Sequence, residues 1–275
     1  MMRTRLITSS IDRSTPGQSP FTNDIRKGIS MSEQLRKEKE QLFLNAPPLY
    51  QAQIKVKKPK HKYGEKPRCI GIFKLACPEM LFYQYLPIKL IDRSSIVMEQ
   101  RLAFALELIN AAREDFAKNI GDDTGYYIYI TAKSMYQFPS STFNRPGYHS
   151  DGFLTDDINY IWSDCCPTVF NCTDFKLSPD DALSLKEMEE QADPELDFSY
   201  KNYSLLRLTQ YNIHRVAQIK RPCYRTFVKI SFSKDKYDLE GNSINHLLAY
   251  DWKYTMRKRT MERNIPQKLN QVVKL

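Results

Sequence analysis

What the chain lacks narrows its chemistry before any motif is considered. Its 275 residues hold no uninterrupted apolar run of transmembrane length and no hydrophobic signal-peptide core, so a soluble, cytoplasmic protein with no transmembrane association is expected. Neither a GxSxG elbow nor a GxxxxGK[ST] loop occurs, which sets aside serine-hydrolase and phosphate-loop chemistry. The six cysteines include no CxxC: Cys165 and Cys166 are adjacent, while Cys69, Cys77, Cys172 and Cys223 are scattered. Neither a disulfide framework nor a structural zinc site is expected from that spacing, and a reducing compartment fits it. Histidine is scarce as well, with four in all.

Against that scarcity, His149-Ser150-Asp151 and the later His214 stand out. Two imidazole nitrogens and one carboxylate on one face of a metal leave the opposite face open to other ligands, the arrangement of non-haem Fe(II) centres. Residues at i and i+2 share a face in a strand and diverge in a helix, so the first pair needs an extended backbone. Gly147 and Gly152 interrupt any helix there, and Tyr148 and Phe153 suit a sheet or its turns. Around the third ligand, Ser204, Leu206, Leu208 and Gln210 alternate with Leu205, Arg207 and Thr209, predicting a strand. A second alternating run follows: Arg225, Phe227, Lys229 and Ser231 on one face, Thr226, Val228, Ile230 and Phe232 on the other. Arg225 offers a planar fork that can hold a carboxylate bidentately. Lys229 is read either as a second cationic contact or as a strand-edge residue.

The order HxD, distal His, then Arg resembles the Fe(II)- and 2-oxoglutarate-dependent oxygenases. The resemblance implies a fold that is mainly β with supporting helices, a double-stranded β-helix or jelly roll. It also implies metal ligands at His149, Asp151 and His214, with Arg225 pairing the remote carboxylate of 2-oxoglutarate; outside the resemblance, Lys229 on the same strand face is taken as a further cofactor-binding candidate. Fe(II), 2-oxoglutarate and O2 are then the cofactor and cosubstrates, and the reaction is hydroxylation with release of succinate and CO2. An intact Asp151 separates the chain from halogenating members of that family, which carry a small residue there. Two other readings stay open: a cupin-like metal dioxygenase that does not use 2-oxoglutarate, and a noncatalytic jelly-roll recognition module.

Organisation along the chain is read as a flexible leader with a short charged helix (Glu33 to Phe43) over residues 1–48. A single catalytic domain with helical extensions follows over 49–275, its core motifs within about 125–235. The clearest helix runs from Ile96 to Ile120, with Asp92, Ser94 and Ser95 as caps and an apolar stripe including Leu108, Ile109, Ala112 and Phe116. Tyr126 to Thr131 reads as a strand. A helix within Leu177 to Gln191 interrupts the β pattern between the ligands and reads either as a cover or entry for the site or as an inert surface helix; another is expected from Leu247 to Arg259. The net charge of +9 gathers in basic stretches at Lys55 to Arg68 and Lys253 to Lys274, which read as solvated surface, as a means to attract nucleic acid or as a rim that steers an acidic ligand. The substrate class stays open among small molecules, peptidyl side chains and nucleic-acid-associated targets.

Overall fold

The structure is a computed structural model, and it describes residues 61–139 and 146–256, all within the unit Lys60–Leu275. The expected leader and its charged helix fall outside the described residues. Eleven elements position the site. In chain order they are β1 (Arg68–Ile72), β2 (Leu81–Lys89), α1 (Leu106–Asn119), β3 (Tyr127–Gln137), β4 (Ile158–Ser163), β5 (Val169–Asn171), α2 (Asp181–Gln191), β6 (Asp197–Ser199), β7 (Ser204–Leu208), β8 (His214–Arg215) and β9 (Cys223–Ser233). Six strands form an antiparallel sheet in the order β1-β7-β4-β9-β3-β2, and three short ones form a second in the order β6-β5-β8.

Each face of the large sheet is written in the alternation of β9. Val228, Ile230 and Phe232 join Ile128, Ile130, Tyr160 and Trp162 in a core closed by Leu108, Ile109, Ala112 and Phe116 of α1. Phe116 stacks on Phe232 with centroids 4.3 Å apart. Polar atoms in this layer find partners: the Tyr160 hydroxyl donates to Asp115 at 2.9 Å, Arg207 reaches the same carboxylate at 2.7 Å, and the Trp162 indole donates to the Phe73 carbonyl. On the opposite face Ile161, Leu206 and Leu208 pack against Phe170 of β5, so the second sheet lies on that side.

The mainly β architecture with helices is present, but the expected jelly roll is not. Both sheets have a linear strand order among the described residues, and neither closes or curls into a barrel. The second sheet is too slight to wrap the first, its strands being only two or three residues long. The chain between β4 and β7 carries Pro167, Pro179, Asp180, Asp193 and Pro194, residues that favour turns and caps over ladders.

Two helix expectations and one strand expectation are also adjusted. Residues 96–99 are not helical: Val97 N–H donates to the Ile88 carbonyl, Glu99 is extended, and a 3₁₀ turn (Gln100–Ala105) leads into α1 without a side-chain cap. The strand expected from Tyr126 to Thr131 continues to Gln137 because β9 pairs with it along that whole length. Residues 247–256 contain no helix; Leu247 N–H donates to the Asn245 side chain, whose amide in turn donates to the Pro87 and Val97 carbonyls. That local Asx bond competes with helix formation. Residues 257–259 lie outside the described residues.

Candidate metal centre

His149 and His214 are brought together by their backbones. They form an antiparallel bridge in which His149 N–H donates to the His214 carbonyl at 2.8 Å and His214 N–H returns the bond at 2.9 Å. The rings lie 4.4 Å apart between centroids. His149 occupies one bridge residue rather than the continuous strand expected, and the chain turns immediately, over Asp151 to Leu154. Gly152 at φ +69° makes that turn possible: a Cβ there would meet Thr155 Oγ1 at 2.8 Å and Asp157 Cβ at 3.0 Å.

The turn returns Asp151 to the two rings. One ligand atom from each of His149, Asp151 and His214 lies within 4.8 Å of the others, with both histidines buried and Asp151 half-buried. Each Nδ1 faces a carbonyl, which can only accept: His149 to Gly147 at 3.1 Å, and His214 to Asn212 at 2.9 Å. These bonds place the proton on Nδ1 and leave Nε2 as the basic donor atom, the usual outer support of a metal-binding histidine. At metal–ligand bonds of about 2.1 Å, adjacent donors sit about 3 Å apart, so closure onto an ion needs a contraction of at most about 2 Å. The donor set fits a divalent transition metal.

Lys229 fixes the carboxylate. Its Nζ lies 3.3 Å from Asp151 Oδ1, while Oδ2 sits 3.7 Å from His214 Nε2. Dividing the two oxygens between a cation and the imidazole side orients Asp151 as a one-oxygen ligand. Burial opposes the ammonium, but Asp151 and Tyr85 outweigh it and hold Lys229 above the ordinary lysine range. The Tyr85 hydroxyl is 3.0 Å from the same Nζ. Tyr85 adopts φ +48° at an irregularity in the β2–β3 ladder, an uncommon conformation for a large residue that turns its ring toward Lys229. Lys229 is no edge residue, because β9 is flanked by β3 and β4.

Arg225 lies four residues along the same face, about 13 Å from Lys229 at the usual strand rise. It is buried, and its Nε donates to the carbonyls of Cys165 and Cys166 at 3.2 and 3.1 Å. Burial pulls its guanidinium below the ordinary arginine range. The other nearby arginines serve the framework: Arg207 binds Asp115, and Arg215 binds Asp197 at 2.8 Å. His61 stacks on Tyr211 and is not part of the triad, and His246 is exposed.

Sequence reading missed Lys133, Tyr85 and the supports of the two histidines. Lys133 on β3 pairs with Phe227, so it shares the face of Arg225 and Lys229. Its place in an alternating strand was the available signal. Tyr85 offered none, since a ladder irregularity leaves no mark in local composition. Helix α2 also has a sharper task than covering the site. Its Met188 packs with Tyr148 and Ile213, the residues immediately before each histidine, and Glu189 accepts from Tyr148 N–H at 2.9 Å. Asp197 joins the same loops, accepting from Tyr148, Asn171 and Arg215; burial disfavours its charge, yet these bonds hold it below the usual carboxylate range.

No protein-family model and no curated protein matches the sequence. Among solved structures, the crystal structure of EvdO2 from Micromonospora carbonacea var. aurantiaca is similar over 50% of this chain and 66% of its own, with 12% identity and a TM-score of 0.31. A likeness that distant leaves the argument with the triad. No helix among the described residues is long and apolar enough to cross a membrane.

Proposed function

We propose that the protein is an Fe(II)- and 2-oxoglutarate-dependent oxygenase that hydroxylates its substrate. The observation that carries this reading is the convergence of two Nε2 donors and one singly directed carboxylate, with both histidines held by reciprocal backbone bonds. Bound there, Fe(II) would activate O2 as 2-oxoglutarate is converted to succinate and CO2, the oxidising equivalent passing to a substrate C–H bond. The chain's own part is orientation. His149, Asp151 and His214 would hold the metal and would leave room for a chelating oxo acid and oxygen. Lys229, held 3.3 Å from Asp151 Oδ1, would restrain that carboxylate to one oxygen toward the metal. Arg225, buried on the same strand face, supplies a guanidinium for the remote carboxylate, a pairing that gains strength out of water.

Anaerobic optical spectroscopy with Fe(II) tests the reading. A charge-transfer band that needs added 2-oxoglutarate, disappears in His149→Ala and requires more cosubstrate in Arg225→Ala is the expected result. Folded, iron-loaded protein that shows no such band overturns it and favours a metal dioxygenase that does without 2-oxoglutarate. Turnover against small-molecule, peptidyl and nucleic-acid substrate sets, scored by succinate release, then identifies the class.

A further inference from the structure

Cys165, Cys166 and Cys223 bring one sulfur each to within 4.8 Å of the others, although nothing in their spacing announces a site. The sheet explains how. Strands β4 and β9 pair through Ser163 and Phe227, and the ladder continues as Asp164 N–H donates to Thr226 and Thr226 N–H donates to Asp164 Oδ1. That register carries Cys165 and Cys166 alongside the first residues of β9, where Cys223 begins the strand. Cys166 adopts φ +45°, turning the chain sharply enough for two adjacent thiols to converge.

We propose that Cys165, Cys166 and Cys223 form a second metal site, selective for a thiophilic divalent cation such as Zn2+ and separate from the histidine-aspartate centre. Tetrahedral Zn–S bonds of about 2.3 Å place sulfurs about 3.8 Å apart, so the cluster closes by about 1 Å or less. Binding releases three thiol protons to solvent and leaves a zinc–trithiolate of net charge −1. The fourth position is open to a water or to Asp164, whose carboxylate already interacts with Cys165. The negative charge has a counterpart in place: Arg225 donates to the Cys165 and Cys166 carbonyls and interacts electrostatically with all three cysteines.

A disulfide switch is the weaker use of the same sulfurs. Burial, Asp164 and the neighbouring thiols push Cys165 well above the ordinary thiol range, and burial with Cys166 raises Cys223. Cys165 also donates to the Tyr224 carbonyl at 3.3 Å. Thiols held protonated are poor nucleophiles and slow to oxidise, whereas a coordinated metal removes their protons directly.

The test is Co2+ titration of the full-length, reduced protein under anaerobic conditions, followed by zinc competition against a chromophoric chelator. A near-ultraviolet thiolate-to-cobalt band that zinc abolishes is expected. It should persist in His149→Ala and Cys77→Ser, while Cys223→Ser and Cys166→Ser each weaken zinc at this site by about tenfold or more. A reduced protein with no thiolate band, or a band undiminished in folded Cys223→Ser and Cys166→Ser, overturns the proposal. Because His149→Ala removes only the other centre, this result is independent of whether the oxygenase reading holds.

Discussion

Single residues around the centre are set by backbone conformation and by charge, and each makes a separate demand. Gly152 holds a left-handed conformation with no space for a methyl group beside Thr155 and Asp157. Gly152→Ala should therefore cost about 1–3 kcal/mol of stability and weaken metal binding together, since the strain falls on the residue after Asp151. Thermal unfolding and Mn2+ titration of the same variant check both. Lys133 makes a different demand. Burial, then the cations Lys229 and Arg225, pull its ammonium down to about 8, against about 10.4 in an unfolded chain. Between those values the unfolded chain binds more protons than the folded one, so the contribution of Lys133 to stability rises with pH across that window. Lys133→Met removes the effect. The variant should exceed wild type by about 1–3 kcal/mol at pH 7, with the gap closing as pH rises from about 8 to 10.4; urea unfolding across that range measures it.

At the level of elements, α2 acts as a brace for two loops that are distant in sequence. Met188 is fully buried against Tyr148 and Ile213, so its truncation leaves a cavity directly behind both histidines. Met188→Ala is expected to cost about 2–5 kcal/mol in urea unfolding. It should also loosen metal binding, whereas Leu183→Ala on the exposed side of the same helix should change neither appreciably. This brace was only half legible in the sequence. A helix within Leu177 to Gln191 was expected, and the structure adds its cap, Asp180 accepting from Leu183 N–H at 2.8 Å. What the helix packs against is a long-range fact. Strand β9 was the most readable element, because its period of two separates core residues from cations regardless of neighbours. The start of α1 was misread for the opposite reason: hydrogen bonds from Val97 and Asn245 to distant backbone override the local capping residues.

For the molecule as a whole, the sequence carried the order of the site residues further than it carried the architecture around them. The HxD, His and Arg residues are marked by type and order, whereas the six-and-three division of strands depends on pairings between segments far apart in the chain. The convergence of Cys223 on Cys165 and Cys166 is hidden for the same reason. Two short ladders, β5 with β8 and the His149–His214 bridge, join the loop bearing Asp151 to the body of the fold. Because each of those histidine amides donates to the other's carbonyl, neither can exchange with deuterium until the two strands part. Their exchange rates should therefore be nearly equal, and a bound metal should slow both by the same factor, reporting a single opening event shared by residues from opposite ends of the intervening chain. Unequal protection, or slowing at only one histidine, would mean that the clasp opens one side at a time.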